Sequence, residues 1–197
     1  MAGELIPPGS VAFKQKFHQF RYSVFRLETL QDYAGSGEDA ALDAFHSGAS
    51  TPQAQPGKDA WTAMIRGNVA AGRTLQRVHV VTEPITPYMQ FELTWAYQPN
   101  VAAGEDIRII SVGEGEPWPP SLPEGTDFWL FDSTHLYAMQ YTPDGAWLGT
   151  EPVSDPARIV QACAWRDAAL HYGSPWASYI AQHPELARRM ESLSKDS

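Results

Sequence analysis

A single cysteine, Cys163, stands among 197 residues, which excludes an intramolecular disulfide framework and a paired-cysteine metal site. Lysine is nearly missing from the middle of the chain: Lys14, Lys16 and Lys58 precede the central block, and the next is Lys195. Chemistry that needs a lysine on a central sheet therefore has no candidate there. Positive charge is short overall. A net charge of −9 disfavours a broad nucleic-acid surface or an anionic membrane, since either needs clustered Lys and Arg. No apolar run approaches the roughly 18 residues of a membrane span, and the first twenty residues lack the apolar core of a signal peptide. The expectation is a soluble cytoplasmic protein. Catalytic signatures are missing as well. There is no glycine-rich phosphate loop ending in Gly-Lys and no Gly-x-Ser-x-Gly elbow. The six histidines (18, 46, 79, 135, 171 and 183) form no i, i+4 pair. No cofactor and no metal are expected.

What the chain does have is aromatic surface, with seven Trp and eight Tyr. Many of these must be half-exposed or line a groove, because their polar atoms seek partners. The length suits one domain, with a mostly helical part over 1–72, a central sheet over 73–153 and C-terminal helices over 154–197. Ser10 is placed as the N-cap of a helix whose face carries Val11, Phe13, Phe17 and Phe20. Residues 21–30 read as extended or turn. Helices follow from about Glu38 to Gly48 and from Lys58 to Ala71, separated by a loop over Thr51 to Gly57 and stopped by Gly72. The strand Arg77 to Val81 leads to Thr86-Pro87, a capping residue and a proline at the first helical position. Tyr88, Phe91 and Trp95 form one stripe of that helix and Met89, Leu93 and Ala96 a second, so it is buried on more than one side. Strands at Asp106 to Val112 and Asp127 to Asp132 flank a Pro- and Gly-rich loop, 113–125. A hairpin then turns at Pro143-Asp144-Gly145, and Asp155-Pro156 starts the C-terminal helices. A strand-helix-strand unit with so apolar a helix implies parallel pairing, and the hairpin adds antiparallel strands. The fold expected is one α/β (or α+β) domain, a mixed sheet with packed helices and a C-terminal helical extension.

Glu92 is the sharpest single residue, a carboxylate on an aromatic helix, four residues after Tyr88. Buried there, it must be paired or hydrogen-bonded, or its pKa rises. Arg77 and Arg108 on the flanking strands are its candidate partners. Arg77 and His79 share a strand face by the two-residue period; they either grip a phosphate or carboxylate or are plain edge residues. Asp127 and Asp132, five apart, face opposite sides and cannot form an acid dyad. One is expected to cap the strand and the other to open a turn with Ser133 and Thr134. Trp118 is a candidate lid or contact residue, or a plug for its loop. Cys163 reads as a small core residue.

The phrases FRLETLQDY (Phe25 to Tyr33), RVHVVTEPITPYMQFELTWAYQPNVAAGEDIRII (Arg77 to Ile110) and DFWLFDSTHLYAMQYTPDG (Asp127 to Gly145) resemble an uncharacterised family of actinobacterial proteins, often encoded beside helix-turn-helix regulators. The resemblance runs from about residue 20 to 180. It implies a cytoplasmic setting and a regulatory or partner role, and it carries over no catalytic residue. The order strand, helix, strand, strand ending in an acid also resembles half of a phospholipase D-like domain. Catalytic members of that family use a histidine and a lysine two apart, and here only the acid Asp132 matches. The functional expectation is a non-catalytic or regulatory module that binds a small molecule or a protein partner. Its cleft lies at the strand ends, lined by Arg77, His79, Tyr88, Glu92 and Asp132. The alternative is an enzyme of unfamiliar type with Glu92 or Asp132 as general acid or base and Arg77 or His79 as anion binder or proton relay. Direct contact with nucleic acid or membrane is not expected.

Overall fold

The computed structural model describes residues 4–35, 37–49 and 57–195, with side chains to 190. Most of the Thr51 to Gly57 loop expected from sequence lies outside the described residues. Strands β1 (Ser23–Glu28), β2 (Thr74–Thr82), β3 (Asp106–Val112), β4 (Phe128–Phe131), β5 (His135–Tyr141), β6 (Trp147–Val153) and β7 (Ser174–Pro175) form one mixed sheet in the order β6-β5-β4-β1-β2-β3-β7. β1, β2 and β3 run parallel, and every other pairing is antiparallel. The segment read as extended or turn is thus the middle strand, and the sheet begins well before residue 73. Among the described residues no helix is long and apolar enough to cross a membrane.

The two faces of the sheet differ in kind. Phe25 and Leu27 of β1, with Val78, Val80, Phe128 and Leu130, pack beneath α6 (Pro156–Tyr172) in an apolar layer. The other face alternates with it by the two-residue period and carries Arg26, Glu28, Arg77 and His79, all buried. It is covered by α1 (Val11–Gln19), α3 (Lys58–Ala70) and the crossover between β2 and β3. α1 buries Phe13 and Phe17 and its cap Phe20, whereas Val11 points to solvent at 69% exposure and Ser10 makes no capping bond. Helix α2 (Asp39–His46) adds Phe45.

The crossover departs from a plain α-helix. It runs α4 (Pro87–Phe91), a π-helical turn (Glu92–Ala96) and α5 (Tyr97–Ala103). Thr86 caps α4 by accepting the Met89 N–H, and Gly104 ends α5 at a φ of 106°. A π turn disturbs the regular carbonyl ladder, and two of its carbonyls are taken by side chains from elsewhere: Trp176 Nε1 donates to Leu93 O at 2.9 Å and Lys58 Nζ to Ala96 O at 2.9 Å. Trp176 opens α7 (Trp176–Gln182), which with α8 (Pro184–Lys195) forms the expected C-terminal extension.

Candidate functional site

Register sets the floor of the site. Arg26 of β1 lies directly beside Arg77 of β2 and opposite Trp129 of β4, and one step along Glu28 lies beside His79. Two buried guanidinium groups side by side repel unless an anion bridges them. Glu28 is that anion: its Oε1 accepts from Arg26 Nε at 3.2 Å and from Arg77 Nη1 at 2.7 Å. Its Oε2 accepts from the Tyr97 hydroxyl at 2.8 Å. Burial alone would raise the Glu28 pKa, but the charges of Arg77 and Arg26 prevail and hold it far below the usual carboxylate range.

Each arginine then takes a second acid. Arg77 Nε donates to Glu105 at 3.0 Å and Arg26 Nη2 to Asp127 at 3.0 Å. Asp127 also accepts from the backbone and hydroxyl of Thr29, both at 2.8 Å, and from the Tyr33 hydroxyl at 2.6 Å. The guanidinium groups lie over aromatic faces: Arg26 is 5.2 Å and Arg77 5.7 Å from the centre of Trp129, and Arg77 is 5.4 Å from that of Tyr97.

Above this floor is a cavity of about 600 Å³, with Trp61, Trp129 and Trp147 among its walls. It lies over the charged face of the sheet, lined there by Arg26 and Glu28 of β1, Arg77 of β2 and Trp129 of β4, and not in a crevice beyond the strand ends. Its far wall is a second acidic group. Glu92, the first residue of the π turn, accepts from the Tyr88 hydroxyl at 2.6 Å and is hydrogen-bonded to the carboxyl of Glu38. Burial, and then the negative charges of Glu38 and Glu28, push its pKa up to about 8. Burial raises the pKa of Glu38 as well, so the two carboxyls share a proton at neutral pH. Lys58, in the first turn of α3, approaches Glu38 to 4.0 Å, and burial lowers its own pKa.

Not every polar atom here is used. Arg26 Nη1, Trp147 Nε1 and Asn100 Oδ1 are buried without a hydrogen-bond partner, and all three residues line the cavity. Such atoms are uncommon in folded proteins and call for an explanation.

The structure brings Arg77, Tyr88 and Glu92 together on the cavity. His79 stands behind the wall, fully buried, with Nδ1 2.6 Å from the Tyr97 hydroxyl and Nε2 2.7 Å from Leu30 O; burial lowers its pKa. Asp132 is elsewhere. Its carboxylate accepts the N–H groups of Arg21, Tyr22 and Ser23 at 2.8, 2.7 and 3.1 Å, at the opposite end of β1, and its φ of 50° opens the turn with Ser133. Of the two acids that bracket β4, Asp127 is the one that reaches the network. Nor does Glu92 pair with Arg108, which points to the α6 side and bonds Asp106 and Leu170 O. Trp118 donates to Leu122 O at 3.2 Å and packs with the α6 layer, so it plugs its loop.

Sequence reasoning passed over Arg26, Glu28, Glu38, Lys58, Tyr97, Asn100 and Glu105. A signal existed for the first two: Arg26-Leu27-Glu28 repeats the alternation of Arg77-Val78-His79, which marks a second strand with a charged face. Lys58 had none, since it comes from a helix start and not from the sheet.

A family model described as a domain of unknown function (DUF6879) matches residues 11–181 of the chain. No curated protein matches it.

Proposed function

The chain belongs to the DUF6879 family, and from that premise we propose that it is a small-molecule-binding module of the cytoplasm with a regulatory, non-catalytic role. One observation carries this reading. The cavity of about 600 Å³ is lined by charged groups whose geometry is already locked by ion pairs within the protein. Such a surface is preorganised to recognise a ligand without first having to order its own side chains. The buried carboxylates and arginines are bonded to one another, and among the described residues of the cavity wall no serine, cysteine or threonine nucleophile is poised beside a base. The likeness to proteins encoded beside helix-turn-helix regulators supplies a use for ligand occupancy: reporting it to a regulatory partner. Phospholipase D-like chemistry is not part of the proposal, because His79 is sealed behind the wall and Lys58 arrives from α3.

The test is a mass-spectrometric search for molecules retained by the natively purified protein, repeated on Glu92→Gln and Trp61→Ala. The reading expects a retained small molecule depleted in both variants. A co-purifying protein with no small molecule, unchanged by either substitution, would move the function to a surface elsewhere. The enzymatic alternative has one feature in its favour: the buried Glu38–Glu92 pair has raised pKa values and holds a proton at neutral pH, as a general acid must. Conversion of the retained molecule by wild type, abolished in Glu92→Gln, would establish it.

A further inference from the structure

We propose that the cavity takes an organic cation, an ammonium or amidinium group lodged against Glu38 and Glu92 and carried on a flat apolar body between the tryptophans. The inference deepens the reading of the cavity as a ligand site and rests on it.

The charge balance excludes the anion that Arg77 and His79 first bring to mind. In the inner wall and its immediate backing, Arg26, Arg77 and Lys58 face Glu28, Glu38, Glu92, Glu105 and Asp127, three cations against five carboxyl groups. Both arginines are engaged: Arg26 with Glu28, Asp127 and Tyr141, Arg77 with Glu28 and Glu105. Lys58 gives its closest bond to Ala96 O at 2.9 Å and stays 4.0 Å from Glu38. Lys14 and His18 of α1 stand exposed at the rim, where solvent screens them. A phosphate or carboxylate entering here would meet excess negative charge, and its arginine neighbours already hold carboxylates.

A cation meets the reverse. The Glu38–Glu92 pair carries a proton because two carboxylates in contact cannot both ionise cheaply. A bound ammonium supplies that neutralising charge instead, and the Trp61 face in the cavity wall suits a flat or cationic group in a desolvated site. Asn100 adds an independent sign: it is 4% exposed, lines the cavity, and its Oδ1 accepts no hydrogen bond. An N–H donor on the ligand answers it. The two unpartnered donors, Arg26 Nη1 and Trp147 Nε1, suit a neutral acceptor on the ligand body.

Binding is then linked to proton release. Around Glu92 the titratable and charged groups are Glu38 ahead of α2, Tyr88 on α4, Lys58 on α3, Tyr97 on α5, Arg77 on β2 and Glu28 on β1. Among these carboxyls the Glu38–Glu92 pair holds a proton at neutral pH, with the Glu92 pKa pushed up to about 8 by burial and then by the charges of Glu38 and Glu28. Affinity for a cation therefore rises as pH increases towards that value.

Calorimetric titration of the whole chain with three matched probes tests this: tryptamine, its neutral analogue tryptophol, and anionic indole-3-propionate. Tryptamine is expected to bind at least about tenfold more tightly than tryptophol, with heats that depend on buffer ionisation as a proton is released. Glu92→Gln should bring tryptamine to the affinity of tryptophol and leave tryptophol unchanged. If indole-3-propionate or tryptophol binds as tightly as tryptamine, and Trp61→Ala weakens them all, the cation is wrong while the cavity stands. If none of the three binds, or Trp61→Ala alters none of the affinities, the ligand-site reading falls with it.

Discussion

Replacing Glu28 by glutamine removes one charge and almost no volume, yet it should be among the most damaging conservative changes in the protein. Its carboxylate is the bridge between two guanidinium groups set side by side by strand register. With a neutral amide in place of that carboxylate, Arg26 keeps Asp127 and Arg77 keeps Glu105, but their mutual repulsion is no longer offset. Breaking a buried ion pair by removing one partner costs roughly 3–5 kcal/mol. For a chain of this size that corresponds to a fall in Tm on the order of 10 °C. Urea unfolding followed by circular dichroism would measure it, with the m-value checking that the transition stays two-state. The double variant Glu28→Gln/Arg77→Gln should recover part of the loss, since it removes the repulsion along with the bridge. The depressed pKa of Glu28 fixes the pH sign. Its stabilisation is present above the unfolded carboxylate value of about 4.3 and fades as pH falls below it, so the deficit of the variant shrinks in acid. A loss under about 1 kcal/mol, the worth of an exposed salt bridge, would refute the claim that Glu28 holds the floor together.

Glu92→Gln should behave oppositely with pH. The native pKa of Glu92 lies above its unfolded value, so wild type loses stability from about pH 4.5 up to about pH 8. The variant escapes that loss, and its Tm relative to wild type should climb across this window; a constant difference would show that Glu92 is ionised throughout. Asp132→Ala leaves three N–H groups at the start of β1 without their acceptor. The expected cost is about 1 kcal/mol by urea unfolding, with ligand binding untouched; altered binding would place Asp132 in the site after all. Gly145→Ala puts a methyl group 2.7 Å from Asp32 O at a φ of 82°. It should destabilise by about 1–3 kcal/mol, and a neutral result would mean that the turn is not held against the segment after β1.

Much of the architecture was legible because apolar periodicity and end signals agreed. Thr86-Pro87, Asp155-Pro156 and the Pro143-Asp144-Gly145 turn all mark real boundaries. β1 was read only as extended or turn because its alternation is confined to Arg26-Leu27-Glu28, while Val24 and Phe25 ahead of it are apolar on both faces. The site was half legible for a related reason. Tyr88 and Glu92 are helical neighbours, and Arg77 shares a face with His79, so local spacing finds them. Glu28, Glu105 and Asp127 meet the arginines only through pairing between strands distant in sequence. Asp132 stood in for Asp127 because two acids bracketing one strand look equivalent until register assigns their ends.

The central claim is that the aromatic-walled cavity is occupied in use, and the tryptophan indole N–H resonances report on it directly. Trp61, Trp129 and Trp147 line the cavity, whereas Trp118 and Trp165 pack on the α6 side. Titrating the labelled protein with the molecule it retains, or with tryptamine, should shift the three cavity signals together and leave Trp118 and Trp165 in place. Shifts confined to the α6 side, or none at saturating ligand, would contradict the account.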